Sequence, residues 1–380
     1  MDFADLALIA LVGIAGPLLS TPRGWRLPVV LGELLAGVAL GRTGFRILHP
    51  GDATFTFLGQ VGFALVMFVA GSHVPMRDDK LRPALLRGVL RAVAVGVLAV
   101  AAGYAISAMF ETGHPGIYAV LLASSSAALV LPIVDSLQLT GEPVLALVVQ
   151  VAVADAACIV ALPLVIDPQH AGRAALGALA VIACSGALFF VLRYFEATGR
   201  RRRLHKFSEE GRFALELRIN LLIVFALAAL AVKTHVSILL AGFSFGLVIA
   251  AIGEPRRLAR QLFGLADGFL GPLFFVWLGA SLDVRALGSH RSYIVLGVVL
   301  GLGAVLTHAV MRLAGQSVPL GVLAAGQVGV PVAAATLGTQ LGVLRPGEPA
   351  ALLLGALITI VAASVAGTVA ARRARTEPTS

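Results

Sequence analysis

Thirteen apolar runs, most of them close to twenty residues long, divide this 380-residue chain and leave little between them. They cover roughly 4–20, 27–41, 54–74, 85–110, 115–137, 143–166, 172–194, 213–233, 235–253, 262–282, 292–313, 317–343 and 348–371. At about 1.5 Å per helical residue, some 20 residues cross a hydrocarbon core of roughly 30 Å. The second run is short, which suits a tilted helix or a locally thin bilayer. Hydrophobic residues make up 58% of the chain and charged residues 13%, about half the charged share of a soluble domain. The fold class is therefore an all-α polytopic membrane protein.

The charges between the runs set an orientation. With thirteen spans the termini lie on opposite faces, and 20 of the 29 Lys and Arg fall on the face that includes the C-terminus, against 7 on the other. Positive charge marks the cytoplasmic side, so the N-terminus is expected outside and the C-terminus inside, in the plasma (inner) membrane of the cell. Residues 1–371 read as one transmembrane domain, with a first half at about 1–194, a basic loop at 195–212 and a second half at about 213–371. A short tail at 372–380 follows, and no soluble module is expected after it. Residues 1–4 carry no Lys or Arg, so the first run reads as a span and not as a cleaved leader. The run Gly199–Lys206, GRRRRLHK, is expected as a topology anchor facing anionic headgroups, with a regulatory site as the sharper alternative. The net charge of +9 belongs to such loops and needs no nucleic acid to explain it. Cys158 and Cys184 both sit inside apolar runs as packing residues. No nucleophile motif, metal-ligand cluster or phosphate-cradling loop points to an enzyme or to a cofactor.

One residue is out of place in this pattern. The run 143–166 is apolar apart from Gln150 and Asp155, and Asp155 falls roughly 18 Å along the helix from Pro143. An ionised carboxylate at that depth costs about 2.5–3.5 kcal/mol even on the insertion scale, and such residues face a partner, an ion or a water-filled cavity. The working expectation is a carboxylate that holds a proton and a monovalent cation by turns.

Two other runs are interrupted. The fifth carries Ser124, Ser125 and Ser126 and then Pro132, where a break is expected because proline lacks an N–H. The twelfth carries Gly326, Gly329 and Pro331 around Gln327. The two occupy comparable places in the two halves. Paired interrupted helices point to inverted repeats with a binding site at the midplane, where freed carbonyls ligate cations and freed N–H groups carry partial positive charge. Glu33 on the second run is a structural or gating carboxylate, or an interfacial one. His308 is a partner or proton carrier for Asp155, or a packing residue; Arg312 lies one helical turn further on the same face and serves as an anchor.

These stretches carry a resemblance. PVVLGELLAGVALGR, VGFALVMFVAG, SSSAALVLPIVDSLQL, HVSILLAGFSFGLVIA and GPLFFVWLGASLDV appear in the order and spacing of the second family of monovalent cation:proton antiporters. That group includes bacterial sodium/proton antiporters and Kef-type potassium/proton exchangers. The resemblance implies thirteen helices, a dimerising panel giving a homodimer, and a core in which two unwound helices cross near an essential aspartate. Asp155 matches that aspartate, and Ala154 takes the place of the acid or amide that usually precedes it. His308 is the nearest counterpart of the lysine of electrogenic members, and Val330 stands where the twelfth span commonly has glutamate.

The expected activity is exchange of Na⁺ or K⁺ for H⁺ by alternating access. Asp155 with oxygens from Ser125, Ser126 and the broken-helix backbone would hold the cation, and a single carboxylate implies one-for-one electroneutral exchange. Two alternatives remain: a proton-coupled exporter of an organic cation or natural product, and a transport-dead sensor or channel on the same fold.

Overall fold

The computed structural model describes residues 3–20, 29–72, 81–169, 171–199, 214–234, 236, 238–253, 261–262, 264–281, 285 and 291–376. Arg200–Lys206 of the basic run, His235 and residues 377–380 lie outside them. Among the described residues all regular structure is helical. The first half contains α1 (Phe3–Gly13), α2 (Ala15–Ser20), α3 (Val29–Leu40), α4 (Ala53–Ser72), α5 (Leu81–Met109), α6 (Pro115–Ala123), α7 (Ala127–Ser136), α8 (Glu142–Ile166) and α9 (Ala171–Ala197). The second contains α10 (Leu215–Lys233), α11 (Ile238–Ile252), α12 (Gly271–Ser281), α13 (Arg291–Ala309), α14 (Val318–Ala324), α15 (Gly329–Gln340) and α16 (Glu348–Thr376). A π-helical turn, Ala266–Leu270, leads into α12, and a 3₁₀ turn, Val310–Ala314, follows α13. Nine described stretches are long and apolar enough to span a membrane, three shorter apolar helices accompany them, and α3 supplies the remaining run. α16 continues through Thr376, so the first residues of the expected tail are helical.

The helices sort into two bodies. In the panel, α3 and α4 pack on α12, α4 also packs on α11, and α10 lies against α11. In the core, α5, α6/α7 and α8 face α13, α14/α15 and α16. Each core triad is a long helix, a broken helix and a second long helix, repeated once along the chain. α9 links the bodies by packing on both α8 and α11.

Small residues permit the panel's tight contacts. A Cβ on Gly37 of α3 would strike the Val276 carbonyl of α12, and a Cβ on Gly279 of α12 would strike the Leu34 carbonyl of α3. In lipid, where burial of apolar surface gives helices little reason to associate, such close backbone approach supplies the packing energy.

The two core triads are also tied by buried hydrogen bonds. Glu348, fully buried at the start of α16, accepts hydrogen bonds on Oε1 from Tyr118 Oη at 2.6 Å and His114 Nδ1 at 2.8 Å, both near the start of α6. Its Oε2 accepts from the Arg345 backbone N–H at 3.0 Å. Both oxygens are thus satisfied, as a buried carboxylate requires.

Candidate functional site

The composition of α8 explains why it runs unbroken beside the two interrupted helices. Gly141, at φ 102°, ends the preceding turn, and Pro143 falls in the first turn, where a missing N–H costs the helix nothing. The Val, Ala and Leu that follow carry no side chain able to compete for backbone groups. Asp155 is the fourteenth of its 25 residues and is 3% exposed. Its Oδ2 accepts a hydrogen bond from the Ala127 backbone N–H at 2.8 Å. Its Oδ1 makes no hydrogen bond among the described residues, so one oxygen is held by the protein and the other is open.

Ala127 is the first residue of α7, and its N–H is available because the preceding serines are not helical. Ser124 (φ −72°, ψ 148°) and Ser126 (φ −128°, ψ 111°) are extended. The Ser124 hydroxyl donates to the Leu121 carbonyl at 3.0 Å, which caps the end of α6 with a side chain in place of another helical turn. Pro132, expected from the sequence to mark part of the break, lies inside α7 and does not interrupt it. A proline there removes one N–H from the helical ladder without ending it, whereas three consecutive hydroxyl side chains offer the backbone other partners. Because α7 starts at Asp155, its unpaired N-terminal N–H groups and dipole favour the carboxylate's negative charge.

The second break comprises Ala325–Val328. Gly326 and Gln327 lie within it, while Gly329 and Pro331 belong to the first turn of α15 and not to the unwound segment. Gly329 is needed there, because a Cβ would come within 2.9 Å of Phe63 Cζ on the panel helix α4. The Gln327 backbone N–H donates to Thr359 Oγ1 on α16 at 3.3 Å, and its side-chain Nε2 is buried without a partner among the described residues.

Ser125 joins the two breaks. Its hydroxyl donates to the Ala324 carbonyl at the end of α14 at 2.6 Å and lies 3.5 Å from His308 Nε2. His308 is fully buried on α13, with Nδ1 2.9 Å from the Ala304 carbonyl. A carbonyl can only accept, so Nδ1 carries the hydrogen and Nε2 of the neutral ring presents a lone pair towards Ser125. Arg312 does not share that face: the α-helix ends at Ala309, and Arg312 is exposed on the 3₁₀ turn.

Of the expected site residues, Asp155, Ser124, Ser125, Ser126, His308, Gly326 and Gln327 gather around the two breaks. Ala154, next to Asp155, is buried and brings no polar group. Ser126 is buried, and its hydroxyl makes no hydrogen bond among the described residues. Glu33 is also buried, but on the panel helix α3 against Gly16, and no hydrogen bond joins it to the breaks. Sequence reasoning missed the Ala127 N–H and the Ala324 carbonyl, which as backbone groups leave no mark in a sequence. It also missed Thr359, whose spacing from the break cannot be seen without the fold.

Two broken helices thus meet beside a mid-helix carboxylate. The sodium/hydrogen exchanger transmembrane region matches residues 7–375. The chain belongs to the sodium/hydrogen exchanger family. It is 22% identical over 94% of its length to a putative Na⁺/H⁺ antiporter, YjbQ, of Bacillus subtilis, covering 61% of that protein. It is 27% identical over 76% of its length to the glutathione-regulated potassium-efflux system protein KefC of Klebsiella pneumoniae, covering 47% of that protein. The chain thus spans less than two thirds of either relative. The sodium proton antiporter MjNhaP1 of Methanocaldococcus jannaschii superposes over the whole of both chains with a TM-score of 0.70 at 15% identity, a likeness of fold. This chain is accordingly a multi-pass membrane protein of a monovalent cation/proton antiporter family.

Proposed function

We propose that the protein exchanges Na⁺ or K⁺ for H⁺, one for one, at Asp155. The observation that carries this reading is the division of labour on that carboxylate: the Ala127 N–H, at the first break, holds Oδ2, and Oδ1 makes no hydrogen bond among the described residues. A dehydrated cation or a proton can occupy the open oxygen, and occupancy by one excludes the other. A carboxylate kept charged and empty at this depth is costly, so the core crosses between its two states loaded with either ion. The Ser126 hydroxyl and the carbonyls freed at the two breaks supply further oxygens. Movement of the core against the panel would turn the site from one side to the other, with the panel providing the homodimer contact and the arginine-rich face towards the cytoplasm.

The test is dissipation of a pH gradient by the purified protein in proteoliposomes, with Na⁺, K⁺, Li⁺ and choline compared with and without a voltage clamp. Proton release on adding Na⁺ or K⁺ at a rate indifferent to voltage is expected; release by choline alone, or a current following one ion's equilibrium potential, would overturn the reading.

A further inference from the structure

A second polar cluster stands apart from the breaks, where α5 and α8 meet the turn between α13 and α14. Gly88 lets α5 close on α8, for a Cβ there would lie 2.7 Å from the Ala146 carbonyl and from Val149. One turn further along each helix, Arg91 and Gln150 reach the same turn. Arg91 Nη2 donates to the Ala314 carbonyl at 3.2 Å, and Gln150 Oε1 accepts from Gln316 Nε2 at 2.8 Å. All three side chains are buried: Arg91 is 7% exposed, Gln316 4% and Gln150 0%. The valences do not close. Gln150 Nε2 and Gln316 Oε1 have no partner, and Arg91 forms no ion pair among the described residues. A buried guanidinium satisfied by one carbonyl is, among the described residues, a charge without a counter-charge, an unfavourable arrangement.

The surroundings indicate what the counter-charge is. Arg87 lies one helical turn back along α5, so two like charges neighbour each other on that helix. Arg87 pairs with Glu142 at 2.9 Å, both side chains being partly exposed. Arg312 is exposed on the adjoining 3₁₀ turn. Three arginines and one glutamate therefore leave positive charge at this end of the core. From it, exposed apolar side chains run along both helices towards mid-membrane: Leu90 at 58% and Val97 at 66% on α5, and Leu306 at 62% on α13.

We propose that this corner binds the phosphate of an anionic phospholipid, with Arg91 at the base of the headgroup site, Arg312 at its rim and the acyl chains along α5 and α13. Basic pockets between membrane helices on the cytoplasmic side select such headgroups. A phosphodiester oxygen accepts from the Arg91 N–H groups that Ala314 leaves unused, and a water behind it bridges Gln150 Nε2 to Gln316 Oε1. The site is separate from Asp155 and stands whether or not the cation exchange proposed above does.

The experiment is native mass spectrometry of the purified full chain titrated with phosphatidylglycerol, phosphatidylcholine and inorganic phosphate. Phosphatidylglycerol should stay bound in preference to phosphatidylcholine, and inorganic phosphate should not displace it. Each lost arginine contact weakens headgroup binding by about fivefold, so Arg91→Gln and the exposed Arg312→Gln should each lose that much while phosphatidylcholine adducts stay constant. Arg312→Gln keeps the test decisive if Arg91→Gln does not fold. Equal retention of the two lipids, retention unchanged in the folded variants, or displacement by inorganic phosphate would each overturn the proposal.

Discussion

The two broken helices are alike in outline and unlike in what their breaks hold. Both stop near mid-membrane, leave a few residues unwound and resume in a second short helix. At the first break the freed N–H of Ala127 goes to a carboxylate; at the second the freed N–H of Gln327 goes to a threonine hydroxyl. At the first, Ser125 donates across the gap, and at the second the Ala324 carbonyl receives it. One break therefore handles charge, and the other braces it with neutral groups. The two halves repeat an unwound segment, and side chains outside the segments, Asp155 on α8 and Thr359 on α16, set what each freed N–H meets.

If that division is right, Asp155→Asn is the most damaging single change. The amide can still accept from the Ala127 N–H, so the fold should persist with an unchanged elution profile. It can neither hold a proton for exchange nor neutralise a cation, and ion-coupled flux in proteoliposomes should fall below about one hundredth of wild type, since the proposed site would lose its carboxylate charge, worth several kcal/mol. Exchange at wild-type rates would dissolve the contrast between the breaks. Next comes Ala127→Pro, which deletes the N–H and leaves the carboxylate. Ala127 is the first residue of α7, where proline is tolerated, and Ser126 is already in the extended conformation that a residue before proline prefers. A hydrogen bond to a charged group is worth about 1.5–3 kcal/mol, so the apparent KM for the cation should rise by about tenfold or more while the helix content by circular dichroism stays constant.

How much of this could be read from the sequence follows the same line between side chain and backbone. The runs betrayed the helices because length and apolarity are what a bilayer demands, and Asp155 stood out because a carboxylate at mid-run has few innocent explanations. The position of the first break was less legible. Pro132 is the residue that ordinarily signals a break, yet α7 absorbs it, while Ser124–Ser126, which could have packed as small residues within a continuous helix, are where the chain unwinds. What decides between those outcomes is whether the hydroxyls find acceptors, and those acceptors, Leu121 on their own helix and Ala324 on a helix two hundred residues away, are carbonyls. His308 is legible as a candidate, but its orientation, Nε2 towards Ser125 and Nδ1 fixed by Ala304, depends on a carbonyl of its own helix and on where the first break is placed beside it.

Ser125→Ala tests the brace itself. It removes the hydroxyl that spans the breaks and leaves the Ala324 carbonyl buried without its donor, at a cost of about 1–3 kcal/mol. The melting temperature should fall by several degrees and transport should slow severalfold; if Ser125, committed to the Ala324 carbonyl, acts as a brace in place of the cation ligand expected from the sequence, cation KM should not change to match. A large rise in KM with unchanged stability would instead make Ser125 a direct ligand and shift the boundary between the two breaks.

Thr359→Val should have the smallest effect, and for that reason it measures the asymmetry most finely. Valine keeps the shape of threonine and removes the acceptor of the Gln327 N–H, a bond of 3.3 Å between neutral groups. The Thr359 hydroxyl is in any case shared with the Ala356 carbonyl of its own helix, to which it donates at 2.7 Å. A net neutral hydrogen bond contributes about 0.5–1.5 kcal/mol, so stability should drop slightly and the cation KM should change by less than about twofold. Were Thr359→Val to raise KM as much as Ala127→Pro does, the second break would be an ion-binding element in its own right, and the two unwound segments would act as one symmetrical site.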